Sequence, residues 1–183
     1  MVGSFGDPGL FLVRTLFELV IFVLFARYFL QLFRASFYNP VTQAIVRITD
    51  PLLNPLRAML PAAGRHDLAS LVLIVILLFA MVATLSHLQG ASLNAASLTL
   101  SAIYFGFLTA TNLFFWTVLF RAIASWIGNS RSPAVSFLED LTEPVVAPVR
   151  RFMPNLGGID LSPLVVLLGI SVLQMIVGNL LLG

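Results

Sequence analysis

The chain has no cysteine, no lysine and only two histidines in 183 residues. Without cysteine there is no disulfide, no thiolate nucleophile, no iron–sulfur ligation and no covalent haem attachment, and His66 and His87 are too far apart in sequence to suggest a histidine metal site. Charge is scarce as well. Charged residues make up 10% of the chain against 59% hydrophobic ones, too little polar surface to cover a water-soluble globule, so the chain belongs in a bilayer. All ten basic residues are arginine, and they exceed the eight acidic ones by two. The sequence pI near 9.7 therefore reads as membrane orientation, and no nucleic-acid partner is expected. Also missing are a glycine-rich phosphate loop, a nucleophile elbow and a paired metal-ligand motif; Gly157-Gly158 reads as a turn. Glu139, Asp140 and Glu143 do cluster, but Arg131, Arg150 and Arg151 lie close enough in sequence to neutralise them. The expectation is a protein that is not an enzyme and takes no cofactor.

What is present is a set of long apolar runs. They cover about residues 10–33, 68–88, 95–120 and 161–182, each near or above the ~20 residues that cross ~30 Å of hydrocarbon. Met1 to Pro8 holds Asp7 and no basic cluster, and the run after it is too long for a cleavable signal, so the first span reads as retained. The loop between the first two spans carries Arg34, Arg47, Arg57 and Arg65; the loop between the last two carries Arg121, Arg131, Arg150 and Arg151. The connection from Ser86 to Ala96 and the C-terminal end carry no charged side chain. The positive-inside rule therefore predicts both long loops in the cytoplasm and both termini outside.

Both loops spell the same motif. Asn39-Pro40, Thr49-Asp50-Pro51, Pro55, Arg57 and Pro61 return 93 positions later as Ser132-Pro133, Thr142-Glu143-Pro144, Pro148, Arg150 and Pro154, and Asp67 returns as Asp160. The chain thus divides into two repeats, 1–90 and 95–183, each of two spans. The second copy enters from the same side as the first, so the repeats are parallel. The fold class predicted is an all-α membrane protein with four transmembrane helices, each repeat carrying a loop of short amphipathic helices.

Asn39 and Ser132 offer an N-cap ahead of a proline at the first helical position. Val41, Ala44, Ile45 and Ile48, and their counterparts Ala134, Phe137, Leu138 and Leu141, then make one apolar stripe per helix. Each helix is expected to run about ten residues and to lie in the headgroup region with Arg47 or Asp140 toward water. The prolines at 51, 55, 61 and at 144, 148, 154 are expected to prevent one long helix and to leave clipped turns. Asp50 with Arg57, and Glu143 with Arg150, recur seven apart and suggest an ion pair that holds each loop's shape; two independently solvated charges are the alternative. Asp67 and Asp160 read as N-caps of the second and fourth spans.

Three of the polar residues inside spans are candidates for a role. Glu18 lies about a third of the way into the first, with Arg14 one turn earlier on the same face. The two can satisfy each other, or Glu18 can mark an ion or proton pathway. Its counterpart in the second copy is Asn112, and the pair could join the repeats by a hydrogen bond or line a narrow conduit. Gln174, Asn179, Thr84 and His87 are too scattered to decide between these.

Arg27 with Asn39-Pro40, Thr49-Asp50-Pro51, Pro55, Arg57 and Pro61, together with the second copies, resembles the YggT family, also called YlmG, of small bacterial inner-membrane proteins. The resemblance covers nearly the whole chain. Departures are Glu143 for Asp50, Ser132 for Asn39, Arg151 opposite Ala58 and one residue lost between Arg121 and Pro133. The resemblance implies an integral membrane protein with no catalytic residue set, whose members often neighbour cell-division genes. Plastid relatives are linked to cytochrome assembly and nucleoid distribution, and a role in osmotic or ion homeostasis has been proposed. The function expected is a scaffold or assembly factor in the membrane, for cell division or envelope processes; an ion channel or permeation accessory is the alternative. Its partners would be the lipid bilayer and other membrane proteins or further copies of itself.

Overall fold

The computed structural model of the chain describes residues 8–60, 66–92, 94–127, 132–153 and 160–182. Pro61 and Pro154 of the repeated motif, Arg65 and Arg131 of the loops, the residues before Pro8 and the Gly157-Gly158 pair lie outside these. The described residues form six helices: α1 Pro8–Leu32, α2 Pro40–Met59, α3 Leu68–Leu88, α4 Ala95–Ile127, α5 Pro133–Arg150 and α6 Ser162–Leu182. Four of them, α1, α3, α4 and α6, are long and apolar enough to cross a membrane. The protein is all-helical with four candidate spans, as the apolar runs predict. Helix α4 continues past the expected end at Phe120. Between Phe120 and Gly128 there is no glycine or proline to interrupt it, and 33 residues at ~1.5 Å each outrun the ~30 Å hydrocarbon layer.

Each repeat is a helix pair with an amphipathic helix laid across one end: α1 with α3 under α2, and α4 with α6 under α5. The repeats meet where α4 packs on α1 and α3. Gly106 makes that approach close, since a Cβ there would stand 2.8 Å from Leu78 Cδ1. The twofold relation between repeats is incomplete. Helix α3 packs on α4, yet among the described residues its counterpart α6 makes no contact with α1.

Helix ends follow local chemistry. The Asn39 side chain accepts from the Val41 amide at 2.9 Å and that of Ser132 from Val135 at 3.2 Å, so both predicted caps form. Helix α1 ends with Ala35 N bonded to the Leu30 carbonyl and Arg34 N to that of Gln31, which puts Arg34 at φ 57°. Gly90 closes α3 with the same two bonds at φ 64°. At Arg34 a residue with a Cβ takes the left-handed turn that reverses the chain into α2.

The amphipathic helices correct two expectations. Each is one continuous helix of 20 or 18 residues with Pro51 and Pro55, or Pro144 and Pro148, inside it, and not a series of clipped turns. A proline four residues on deprives a carbonyl of its helical donor. Here Pro51, Pro55, Pro144 and Pro148 all face outward, so the freed carbonyls lie on the side that water or headgroups can reach. The apolar stripes also part company. Ile48 is 68% exposed whereas its counterpart Leu141 is fully buried. Helix α5 packs on α1 and α2 of the other repeat as well as on α4 and α6, and Leu141 joins Ala26, Leu30 and Leu113 in a core built from both repeats. Helix α2 instead buries Thr42, Thr49 and Leu53 and turns Ile48, Leu52 and Met59 outward.

Candidate functional site

The two long loops between spans, with the ends of the spans beside them, contain one ion network built twice. In the first copy Arg27, near the end of α1, reaches α2 with a forked guanidinium. Its Nη1 donates to the Val46 carbonyl at 2.8 Å and to Thr49 Oγ1 at 2.6 Å, and its Nη2 to Asp50 Oδ1 at 2.7 Å. Thr49 passes its own proton back to the Ile45 carbonyl at 2.7 Å. Arg57 then bridges two carboxylates, Asp50 at 3.3 Å and Asp67, and Arg27 Nε stands 3.8 Å from the same Asp67 oxygen. Asp67 caps α3 through Ser70, accepting from its hydroxyl at 2.8 Å. One arginine from the first span thereby locks the amphipathic helix to the start of the second span.

The second copy repeats the order with small changes. Arg121 donates to Thr142 Oγ1 at 2.9 Å and to Glu143, Arg150 holds Glu143 and Asp160 at 2.9 Å each, and Asp160 accepts from the Ser162 amide at 2.9 Å. Asp160 stands two residues before the first residue of α6, so it is not itself the cap residue there; it satisfies the first helical amide. Burial differs between copies. The Asp67 side chain is 5% exposed and that of Asp160 41%, and Arg27 is the more enclosed of the two span arginines. The first network is an interior structure, where removing one partner strands the others; the second is closer to a surface network.

The loops are also tied across the repeats. Asn39 uses its side-chain amide to donate to the Pro133 carbonyl at 2.7 Å while capping its own helix, and the Ser36 amide donates to Asp140 Oδ2 at 3.0 Å. Asp140, expected to face water, is thus engaged with the other repeat because α5 lies against the α1–α2 turn. Arg47 is exposed, as expected.

The polar residues within the spans have local partners. Arg14 bonds Glu18 at 2.7 Å and its guanidinium lies 5.1 Å from the Phe105 ring centroid, a cation–π contact across to α4. Asn112 accepts from Gln174 Nε2 at 2.9 Å, and the same nitrogen lies 2.9 Å from Thr111 Oγ1, so these groups join α4 to α6 inside the second repeat. The structure therefore brings Asn112 to Gln174 and Glu18 to Arg14, and does not bring Glu18 and Asn112 together. Sequence reasoning paired Arg27 with Arg121 by register but missed that they complete the networks. The available signal was their separation from the Thr-Asp/Glu pair, 22 and 21 residues to the threonine, which alters by only the one residue lost in the second loop.

The networks favour the ionised form of Asp67, Glu143 and Asp160. Burial pushes Asp67 up, but hydrogen bonds from Arg57 and Ser70 and the Arg57 charge outweigh it and leave Asp67 below the ordinary aspartate value; Glu143 and Asp160 are lowered in the same way by Arg121 and Arg150, and by Ser162 and Arg150. A carboxyl with a folded value below its unfolded one adds stability that is complete above the unfolded value and lost as pH falls through the folded one. Thermal unfolding in detergent is expected to be flat from pH 7 to about 5 and to fall below about pH 4, with Asp67→Asn reducing the drop. An unfolding temperature unchanged down to pH 3 would disprove the coupling. As chemistry, carboxylates already committed to arginines are poor bases; as architecture, they fix two helices against the bundle.

The sequence is similar to known proteins over nearly its whole length. The CCB3/YggT family model matches twice, over residues 7–88 and 100–181. The chain belongs to the CCB3/YggT family. Among its relatives, "Uncharacterized protein in proC 3'region" of Vibrio alginolyticus is 39% identical over 93% of this chain and 93% of the relative. "Uncharacterized protein PA0392" of Pseudomonas aeruginosa is 36% identical over 98% and 92%, and "Uncharacterized protein YggT" of Escherichia coli K12 is 36% identical over 93% and 89%. No solved structure matches. Each family match contains one complete network: Arg27, Thr49, Asp50, Arg57 and Asp67 in the first, Arg121, Thr142, Glu143, Arg150 and Asp160 in the second.

Proposed function

We propose that this CCB3/YggT protein is a membrane scaffold or assembly factor without enzymatic activity, seated in the bacterial inner membrane with both loops in the cytoplasm and both termini outside. Cell division or envelope assembly is the process it serves. The observation that carries this reading is the duplicated ion network: two sets of charged groups are spent on holding α2 and α5 rigidly across the end of the bundle. A rigid face with outward prolines, Arg47 and Ile48 is suited to docking, because little conformational freedom is lost when a partner binds. The polar groups singled out inside the spans support the same reading, since Glu18 is held by Arg14 and Asn112 by Gln174, and Glu18 does not meet Asn112 across the bundle.

The test is ion flux into liposomes carrying purified protein, wild type beside Glu18→Gln, with matched incorporation and an empty-liposome control. Neither protein is expected to raise flux above the control under ion gradients or an osmotic step. Flux that depends on Glu18 would replace the scaffold with a permeation function.

A further inference from the structure

The two repeats join through two helix faces, and each face has a counterpart that no described residue of the chain covers. On the α3 side, Leu78 and Val82 are buried in a core that includes Ala102 and Phe105 of α4. The 93-residue spacing that carries Asp67 to Asp160 carries them to Ser171 and Met175 on α6, where Ser171 is exposed and Met175 is 67% exposed. On the α4 side, Gly106 lies against Leu78, and Leu113 is buried in a core with Ala26 and Leu30 of α1. The 94-residue spacing that carries Arg27 to Arg121 leads back from these to Leu12 and Leu19 on α1, which are 60% and 59% exposed. One join between repeats is thus made inside the chain, and the two halves of a second such join stand open, one on α6 and the other on α1.

Side-chain size and depth both suit a join between these halves. In a bilayer, apolar side chains gain little by leaving lipid for protein, and helices associate where a small residue lets them approach. Within the chain a large residue, Leu78, sits over a small one, Gly106. The open halves keep this complementarity with the roles exchanged: Ser171 is the small residue on α6, and exposed leucines stand at 12, 16 and 19 on α1. The Ser171 hydroxyl already donates to the Leu167 carbonyl at 2.9 Å, so an apolar partner leaves no polar group unpaired. The two ion networks lie at the same end of the bundle, tied by Asn39 to Pro133 and by Ser36 to Asp140. Ser171 stands eleven residues beyond Asp160 and Leu16 eleven before Arg27, so at ~1.5 Å per residue both lie ~16 Å from that end. We propose that a second copy of this chain covers these faces, with α1 of one molecule packed on α6 of the next as α4 packs on α3 within each. The join is head-to-tail, because it brings unlike faces together. It uses no residue of the ion networks and does not depend on the scaffold reading.

Because the chain has no cysteine, introduced thiols can be cross-linked in membranes without background from the chain itself. Full-length copies carrying Ser171→Cys are co-expressed with differently tagged copies carrying Leu12→Cys, Leu16→Cys or Leu19→Cys, and the membranes are oxidised. At least one of the three pairs is expected to give a disulfide-linked dimer holding both tags. Its yield should be roughly tenfold above that of Leu16→Cys with Phe79→Cys, an exposed α3 site at similar depth, because a disulfide forms only where Cβ atoms come within about 4.5 Å. Each single-cysteine copy expressed alone should give no dimer, since like faces do not meet. All the substituted side chains are exposed, so thermal unfolding of the variants in detergent should match wild type. Absence of linkage in all three pairs overturns the proposal and leaves lipid on both faces. Linkage to Phe79→Cys as strong as to Ser171→Cys means chance collision, and a dimer from one single-cysteine copy alone means that like faces meet; either result overturns the head-to-tail join.

Discussion

Arg27→Ala is expected to destabilise the protein by about 3–5 kcal/mol, the cost of stranding buried partners of a removed charge. Arg27 is 6% exposed, and its loss would leave Asp50 with a single weak contact to Arg57, remove a donor from the Val46 carbonyl and take one of two cations from the buried Asp67. Arg121→Ala should cost clearly less, since its carboxylate partner Glu143 is about 45% exposed in its side chain and still held by Arg150, and water can replace the lost donor. Arg27→Lys should recover only part of the loss, because a single ammonium cannot serve a carbonyl, a hydroxyl and a carboxylate held in a fork geometry. Denaturing-detergent titration of the three variants in mixed micelles measures this ordering. Equal effects of Arg27→Ala and Arg121→Ala would show that the two networks are energetically equivalent and that burial does not set their worth.

Leu141→Ala should cost about 2–5 kcal/mol, the range for truncating a buried leucine in a packed core, while Ile48→Ala should fall within about 0.5 kcal/mol of wild type. The two residues hold the same position in the two copies of the loop. Leu141 is 0% exposed among Ala26, Leu30 and Leu113, with Phe29 and Phe137 packed around them, so its truncation opens a cavity at the junction of the repeats. Ile48 is 68% exposed on the outer side of α2, where lipid or a partner covers it equally well as alanine. The same titration decides the matter. A large loss at Ile48 in the isolated protein would mean that its face is already covered within the molecule, and would take away the surface on which the scaffold reading relies.

Much of this molecule is visible in the sequence because the governing interactions are local. Asn39 and Ser132 cap helices that begin one residue later, and Asp50–Arg57 and Glu143–Arg150 meet along one helix two turns apart. Other features depend on neighbours far away in the chain. The prolines at 51, 55, 144 and 148 look like helix breakers in isolation, yet the helices continue because those residues face outward, where their unpaired carbonyls can be solvated. Glu18 and Asn112 match in register between the repeats, yet matching positions need not touch; Asn112 finds Gln174 on α6 instead.

By itself the sequence determined the four apolar spans, the duplication, the capped starts of the amphipathic helices and the acid–arginine pairs within them, all of which follow from composition, periodicity and short-range spacing. Only the tertiary structure decided that Arg27 and Arg121 close the two networks and that α5 is buried where α2 is open. The physical reason is that burial and charge pairing depend on which helices pack together. Two nearly identical repeats in one chain cannot have identical surroundings when α3 packs on α4 and α6 does not pack on α1.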